Sequence, residues 1–243
     1  MAVYQEKAKE RIKGGVARIR NLCRKGLDSK IGEADTRAIV RAVLVDLLGW
    51  DEFEDITQEE AVKGGYCDYM IRYDGVPYAV IEVKRLGINL NESHLRQARH
   101  YAQDNGLSWV VLTDSDRWDV YRLFYDRRKS GNPEPKIFPI LSLSFTDTTI
   151  KPSDRVEWLY LISKEACKKD ELEEYSNYMQ ALAPEEIAKR LFQPDVLDRI
   201  RIAIKNDMGM KVTNGDIASS IAEILIEDSK PANIESLIRK AAK

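Results

Sequence analysis

Tyr78-Ala79-Val80-Ile81-Glu82-Val83-Lys84 is the stretch that decides how this chain folds. Val80, Ile81 and Val83 predict a buried strand. Such a strand does not readily carry a carboxylate and an ammonium. An unpaired ion in a low-dielectric interior costs several kcal/mol or changes its protonation state. Glu82 and Lys84 are two apart, so both side chains leave the same face of the sheet. Upstream, Tyr66-Cys67-Asp68-Tyr69-Met70-Ile71 is a second apolar run carrying one acid, and Asp74-Gly75 between the two runs predicts a hairpin.

Whether Asp68 joins Glu82 and Lys84 depends on the parity of that hairpin. A two-residue turn would pair 73 with 76 and send Asp68 to the opposite face from Glu82. A three-residue loop, Tyr73-Asp74-Gly75, pairs 72 with 76, which makes Asp68 and Glu82 diagonal neighbours on one face. The expectation is the odd loop or an equivalent bulge. Two carboxylates about 4 Å apart repel by roughly 4 kcal/mol at an effective dielectric near 20. A hard cation such as Mg²⁺ removes that penalty, taking one or two carboxylates together with water and substrate phosphate. Lys84 would then touch the phosphate or the attacking water. The plainer alternative is a salt bridge between Lys84 and one acid, because Asp followed by Glu-x-Lys is a pattern many proteins contain by chance.

The rest of the chain sets the frame. Its 243 residues suffice for one large domain or two small ones, and 44% hydrophobic with 32% charged residues is ordinary for a soluble globular protein. No apolar stretch is long enough to span a bilayer, and Met1 to Lys13 is too polar for a signal peptide. Cys23, Cys67 and Cys167 form neither a zinc pattern nor a disulfide framework, which suggests a reducing cytoplasm. The net charge of -2 does not announce a nucleic-acid binder, but the N-terminal helix is rich in Lys and Arg and could follow a phosphate backbone.

Periodicity predicts a helix over residues 3–25 with a break at Gly14-Gly15, and a second through Ile39, Val43, Leu44, Leu47 and Leu48 that stops at Gly49. Residues 51–65 predict a short edge strand running into a loop. A helix from Asn91 to Asn105, strands at 108–113 and 118–124, a loop at 131–135 and an edge strand at 138–143 follow. Trp50, Trp109 and Trp118 are expected in the core. Beyond Pro152 only helical patterns appear, at 153–181, 185–207, 214–227 and 231–242, with a capped start at Thr213-Asn214-Gly215-Asp216. The fold class expected is α/β: a mixed central sheet flanked by helices over residues 1–150, then an all-helical region over 151–243.

Several motifs in order carry a resemblance. Glu33-Ala34-Asp35-Thr36-Arg37 opens a helix ending in Leu47-Leu48-Gly49-Trp50. Gly65-Tyr66-Cys67-Asp68-Tyr69 carries the first acid, and Ala79-Val80-Ile81-Glu82-Val83-Lys84 the second acid and the lysine. Gln97-Ala98-Arg99-His100-Tyr101 supplies Gln-x-x-x-Tyr, and Leu112-Thr113 with Trp118 and Tyr121 supplies a closing hairpin. Residues 33–124 thereby resemble a PD-(D/E)xK nuclease domain, and more narrowly the N-terminal nuclease domain of type I restriction enzyme restriction subunits. The resemblance implies a restriction-endonuclease-like fold with Asp68 and Glu82 as metal ligands, assisted by the Val83 carbonyl, and Lys84 as the catalytic lysine. It places Gln97 and Tyr101 along the site, and Glu33 matches an acid that some relatives aim at the metal. Positions 97 and 101 also share a helix face. His94 and His100, six apart, suit no metal pair on a helix and are expected as phosphate contacts or plain surface.

Two departures matter. Cys67 stands where the motif's name places a proline, and the chain contains no Gly-Lys-Ser/Thr phosphate loop, so no ATP-driven motor is expected. The implied activity is Mg²⁺-dependent hydrolysis of DNA phosphodiesters in restriction or defence, with Mn²⁺ expected to substitute. DNA is the implied partner, and a second copy of the chain or restriction-system subunits are further candidates. The competing reading is a catalytically silent nucleic-acid-binding or assembly module on the same fold. A third is a structural salt-bridge network in a protein-interaction domain.

Overall fold

The computed structural model describes residues 2–62, 65–125 and 135–224. The chain divides into two compact units, Met1–Ser176 and Asn177–Lys243. The first holds a six-stranded sheet in sequential order: β1 (Ile56–Val62), β2 (Gly65–Tyr73), β3 (Val76–Val83), β4 (Trp109–Thr113), β5 (Arg117–Phe124) and β6 (Lys136–Ser144). Only the β3–β4 contact is parallel, and α3 (Glu92–Asp104) connects those two strands. The others are antiparallel, so the sheet is mixed, as expected. The loop expected at 131–135 falls largely outside the described residues.

Two apolar layers sandwich the sheet. One is built from α1 (Val3–Ser29), α2 (Glu33–Ala42), the turn Val43–Leu47 that continues α2, and the helices α4 (Pro152–Leu161) and α5 (Lys164–Cys167); their Ile12, Ile19, Leu44, Leu159 and Tyr160 share a buried cluster with Tyr69, Ile81, Val83 and Trp118. The other is the underside of α3, with Leu95, Ala98 and Tyr101 against Met70, Val80 and Leu112. Trp50, Trp109 and Trp118 are buried, and Trp50 Nε1 donates to the Ile162 carbonyl at 3.2 Å. All three cysteines are buried and none is in a disulfide.

Two expectations about helices change. α1 runs unbroken through Gly14-Gly15. A Cβ at Gly15 would lie 2.6 Å from Leu47 Cδ1, whereas one at Gly14 would meet nothing. Gly15 therefore serves close packing and does not end the helix. The second helix continues past α2 into one π-turn, Val43–Leu47, which carries Leu44 and Leu47 into the core before Gly49 (φ +74°) ends it.

The helical region is more finely divided than its periodicity suggests. Residues 153–181 become α4, α5 and α6 (Glu171–Ala181), with Ser163 capping α5 through the Ala166 N–H. Residues 185–207 become α7 (Pro184–Leu191) and α8 (Pro194–Met208), each with proline in its first turn. In the second unit, Phe192, Leu197, Ile217 and Ala218 form a small core among α7, α8 and α9 (Asn214–Ile224). α9 begins at the expected cap: Asp216 Oδ2 accepts from Thr213 N and Oγ1, and Thr213 Oγ1 accepts from Asp216 N. The helix expected at 231–242 lies outside the described residues.

Candidate active site

The β2–β3 hairpin turns on two residues, Asp74 and Gly75, with φ +48° and +77° and with Tyr73 paired to Val76. This is the tight turn that Asp-Gly favours, not a three-residue loop. Left alone it would split the two acids. The register, however, shifts between Ile71 and Arg72: Arg72 pairs with Pro77 but Ile71 with Ala79, leaving Tyr78 as an extra residue in β3. That bulge restores the parity. Beyond it Met70 faces Val80 and Tyr69 faces Ile81, so one step further Asp68 stands directly across from Glu82. Carried one residue past the last paired residues, Tyr69 and Ile81, the register sets the two opposite each other instead of in the diagonal arrangement expected.

The side chains meet accordingly. Asp68 Oδ2 accepts the Val83 N–H at 2.7 Å, and Asp68 Oδ1 lies 3.4 Å from the Arg37 guanidinium. Lys84 Nζ donates to Glu82 Oε1 at 2.5 Å. Side-chain exposure separates the three: Glu82 is 2% exposed, Asp68 14% and Lys84 16%. The cluster is thus roofed by Asp68 and Lys84, with Glu82 at its floor. Glu82 Oε2 is buried and has no hydrogen-bond partner among the described residues. An unsatisfied buried carboxylate oxygen is costly and calls for explanation.

Charge states follow from this burial. Desolvation pushes the Glu82 carboxyl up to about 7, against the pull of Lys84, and the nearby negative charges of Asp68 and Glu33 push the same way. Asp68 is also raised, chiefly by burial, although the Val83 N–H and the Arg37 charge oppose the shift. For Lys84, burial favours the neutral amine, but the Glu82 hydrogen bond and the charges of Glu82, Glu33 and Asp68 outweigh it and raise its pKa. The site is therefore acid-rich and holds its lysine as an ammonium.

The chain around the cluster is well anchored. Lys84 N–H donates to the Thr113 carbonyl at 2.8 Å, Leu86 N–H to Thr36 Oγ1 at 3.0 Å, and Gly87 N–H to Asp114 Oδ2 at 2.9 Å. The turn after Lys84 is thereby tied to α2 on one side and to the β4–β5 turn on the other. Tyr69 Oη reaches the Arg37 carbonyl at 2.9 Å and fixes α2 from below.

Other expected residues are placed differently. Glu33 is the exposed first residue of α2, within electrostatic reach of Asp68, Glu82 and Lys84. No group of three or more His, Cys, Asp or Glu converges into a metal cage among the described residues, so the structure brings together a pair of carboxylates, not a triad. Val83 presents its N–H to Asp68 and buries its side chain in the core. Gln97 lies on the exposed side of α3, while Tyr101 is buried beneath that helix. Among the described residues, no hydrogen bond links either to Asp68, Glu82 or Lys84.

Arg37 went unassigned in the sequence, and His94 was expected only as a phosphate contact or plain surface. Arg37 follows Glu33 by one helical turn, and i, i+4 spacing was the available signal. His94 lies in the first turn of α3, whose cap Asn91 accepts from Ser93 N at 2.9 Å. Its pKa is lowered by burial and by the Lys84 charge, and its Nδ1 is buried without a partner.

The residues present fit a divalent cation. Mg²⁺ characteristically takes one or two protein carboxylates and keeps several waters, and Asp68 with the unsatisfied Glu82 oxygen offers that donor set. A six-stranded mixed sheet carrying two opposed acids and a lysine at the end of a central strand defines the architecture of a PD-(D/E)xK nuclease domain. Residues 33–133 match the family described as type I restriction enzyme R protein N terminus. The family supports a nuclease or restriction-type function. The match spans less than half of the chain: α1 and everything after β5 lie outside it. No curated protein and no solved structure matches the chain. Among the described residues no helix is long and apolar enough to cross a membrane.

Proposed function

We propose that this protein is a Mg²⁺-dependent DNA endonuclease of a restriction or defence system. The observation that carries the reading is the buried, unsatisfied Glu82 Oε2, across from Asp68 and beside the Lys84 ammonium. Asp68 and Glu82 would hold the ion, with the Val83 carbonyl as a further donor. Bound there, the ion would neutralise charge on the scissile phosphate and favour deprotonation of water. Val83 N–H and Arg37 hold Asp68 in place. Lys84 would turn its ammonium to the phosphate or the attacking water and support charge that grows during hydrolysis. The resemblance assigns supporting roles to Gln97, Tyr101 and Glu33. Mn²⁺ should substitute for Mg²⁺, since both accept oxygen ligands.

The test is nicking or linearisation of plasmid DNA by the purified chain with Mg²⁺ or Mn²⁺, against an EDTA control. Cleavage that EDTA abolishes supports the reading. DNA binding that weakens with salt, without any metal-dependent nicking, favours the silent binding module instead.

A further inference from the structure

A groove between α1 and α4, remote in sequence from the family-matched segment, encloses about 420 Å³ and is lined by Lys13, Val16, Ala17, Arg20, Arg155 and Glu157 among others. Its charge is unbalanced. Arg155 is 1% exposed, and its guanidinium donates only to main-chain carbonyls: Ser144 at 2.8 Å, Asp147 at 2.5 Å and Ile150 at 3.4 Å. No carboxylate forms an ion pair with it among the described residues. A buried cation without a counter-ion is costly. Arg20 donates its Nε to the Phe145 carbonyl at 2.8 Å, again with no acid. It stands near enough to Arg155 to disfavour that group's charge, in addition to the effect of burial. Lys13 is exposed one pair of helical turns earlier on the same face of α1. The single carboxylate in the lining, Glu157, is already engaged by Lys9 at 2.6 Å. Three cations thus line a roomy concavity; Asp147 and Asp116 favour the Arg155 charge from a distance, but among the described residues no carboxylate pairs directly with Lys13, Arg20 or Arg155.

We infer that this groove binds a phosphate of the DNA backbone, at a distance from the point of cleavage; the inference rests on the proposed nuclease reading for its choice of DNA. Guanidinium forks match phosphate oxygens in geometry and charge. DNA, in preference to a free anion, follows from where α1 leads. A Cβ at Gly26 would lie 2.7 Å from Leu86 Cδ2, and one at Gly87 would lie 2.8 Å from Leu27 Cδ2, so the end of α1 packs on the loop that follows Lys84. At about 1.5 Å rise per residue, Arg20 is roughly 9 Å and Lys13 roughly 20 Å back along the helix from Gly26. That span equals about six base pairs at roughly 3.4 Å each. Arg24 and Lys25, both exposed, lie between.

The test is fluorescence anisotropy of a labelled duplex with the full chain in EDTA, across salt concentrations. Lys13→Ala combined with Arg20→Ala should weaken binding and reduce the slope of log affinity against log salt by about two. Because Arg20 also contacts the Phe145 carbonyl, Ala17→Glu provides a second variant that sets a carboxylate on the exposed groove wall without removing any bond. It should lower affinity by about tenfold or more, while Ala17→Gln and the thermal midpoint stay near wild type. Unchanged affinity and slope in both variants would overturn the inference and leave the nuclease reading intact. Calorimetric binding of inorganic phosphate that Ala17→Glu abolishes, with DNA affinity unaffected, would also overturn it by making the groove a free-anion site. A reduced slope in a protein that nicks no plasmid would uphold the groove and sink the hydrolytic reading.

Discussion

Asp68 and Glu82 face each other across β2 and β3 because Tyr78 is an extra residue in β3. The two-residue Asp74-Gly75 turn alone would have set them on opposite faces, so site geometry and strand irregularity are one fact. The Val83 N–H, donated to Asp68 at 2.7 Å, fastens the first acid to the strand that carries the second.

If these groups act together, Asp68→Ala, Glu82→Ala and Lys84→Ala should each lower metal-dependent cleavage by about 10²-fold or more. Far-ultraviolet circular dichroism should remain that of the parent. Combining two of them should cost little more than one, because residues acting as a unit are not additive. Plasmid cleavage that survives all three changes excludes this site.

Glu82 also gives a pH signature that requires no activity. Its carboxyl is raised from 4.5 to about 7 in the folded chain. Between those values the folded state holds more protons than the unfolded one, so stability falls as pH rises through the window. The loss is complete above about 7 and amounts to on the order of 3 kcal/mol. Glu82→Gln should therefore gain thermal stability relative to the parent as pH goes from 5 to 8. A difference in midpoint that does not change with pH contradicts this assignment of the buried charge.

The same proton competes with a cation. Mg²⁺ or Mn²⁺ needs the ionised carboxylate, so affinity measured by calorimetry should drop about tenfold per pH unit below about 7 and level off above it. Binding at pH 6 should release close to one proton, detected by comparing buffers of different ionisation heat. Asp68→Asn should weaken binding at every pH, while Glu82→Gln should remove the pH dependence with it.

The two adjacent glycines of α1 should respond oppositely. Gly14→Ala meets open space in a helix interior and should stabilise by up to about 1 kcal/mol. Gly15→Ala drives a methyl to 2.6 Å from Leu47 Cδ1 and should destabilise by roughly 1–3 kcal/mol. Urea unfolding of the two variants checks both signs.

The sequence was most legible where burial and charge conflict. Val80 to Val83 could only be a central strand, and Glu82 within it had to be exceptional. Motif order then carried the fold class. The bulge was legible only as a requirement: parity demanded an odd residue somewhere, but nothing local marks Tyr78 over Gly75. The Gly14-Gly15 expectation failed because a glycine pair signals both helix breaking and close packing, and only the tertiary partner Leu47 decides between them. The same limit applies on α3: helical spacing put Gln97 and Tyr101 together, yet α3 lies on the sheet so that one is exposed and the other buried. Arg37 was missed because its i, i+4 spacing from Glu33 puts the two on one helix face but does not say that this face meets Asp68.

The Tyr78 bulge carries an evolutionary corollary. Removing one residue between it and Asp68 while the bulge persists would turn one acid to the other face, whereas losing Tyr78 itself would leave a flush two-residue hairpin with the acids still opposed. Chains descended from this architecture can thus shorten that hairpin only in steps that keep the parity, either by dropping the bulge residue or by losing residues in pairs.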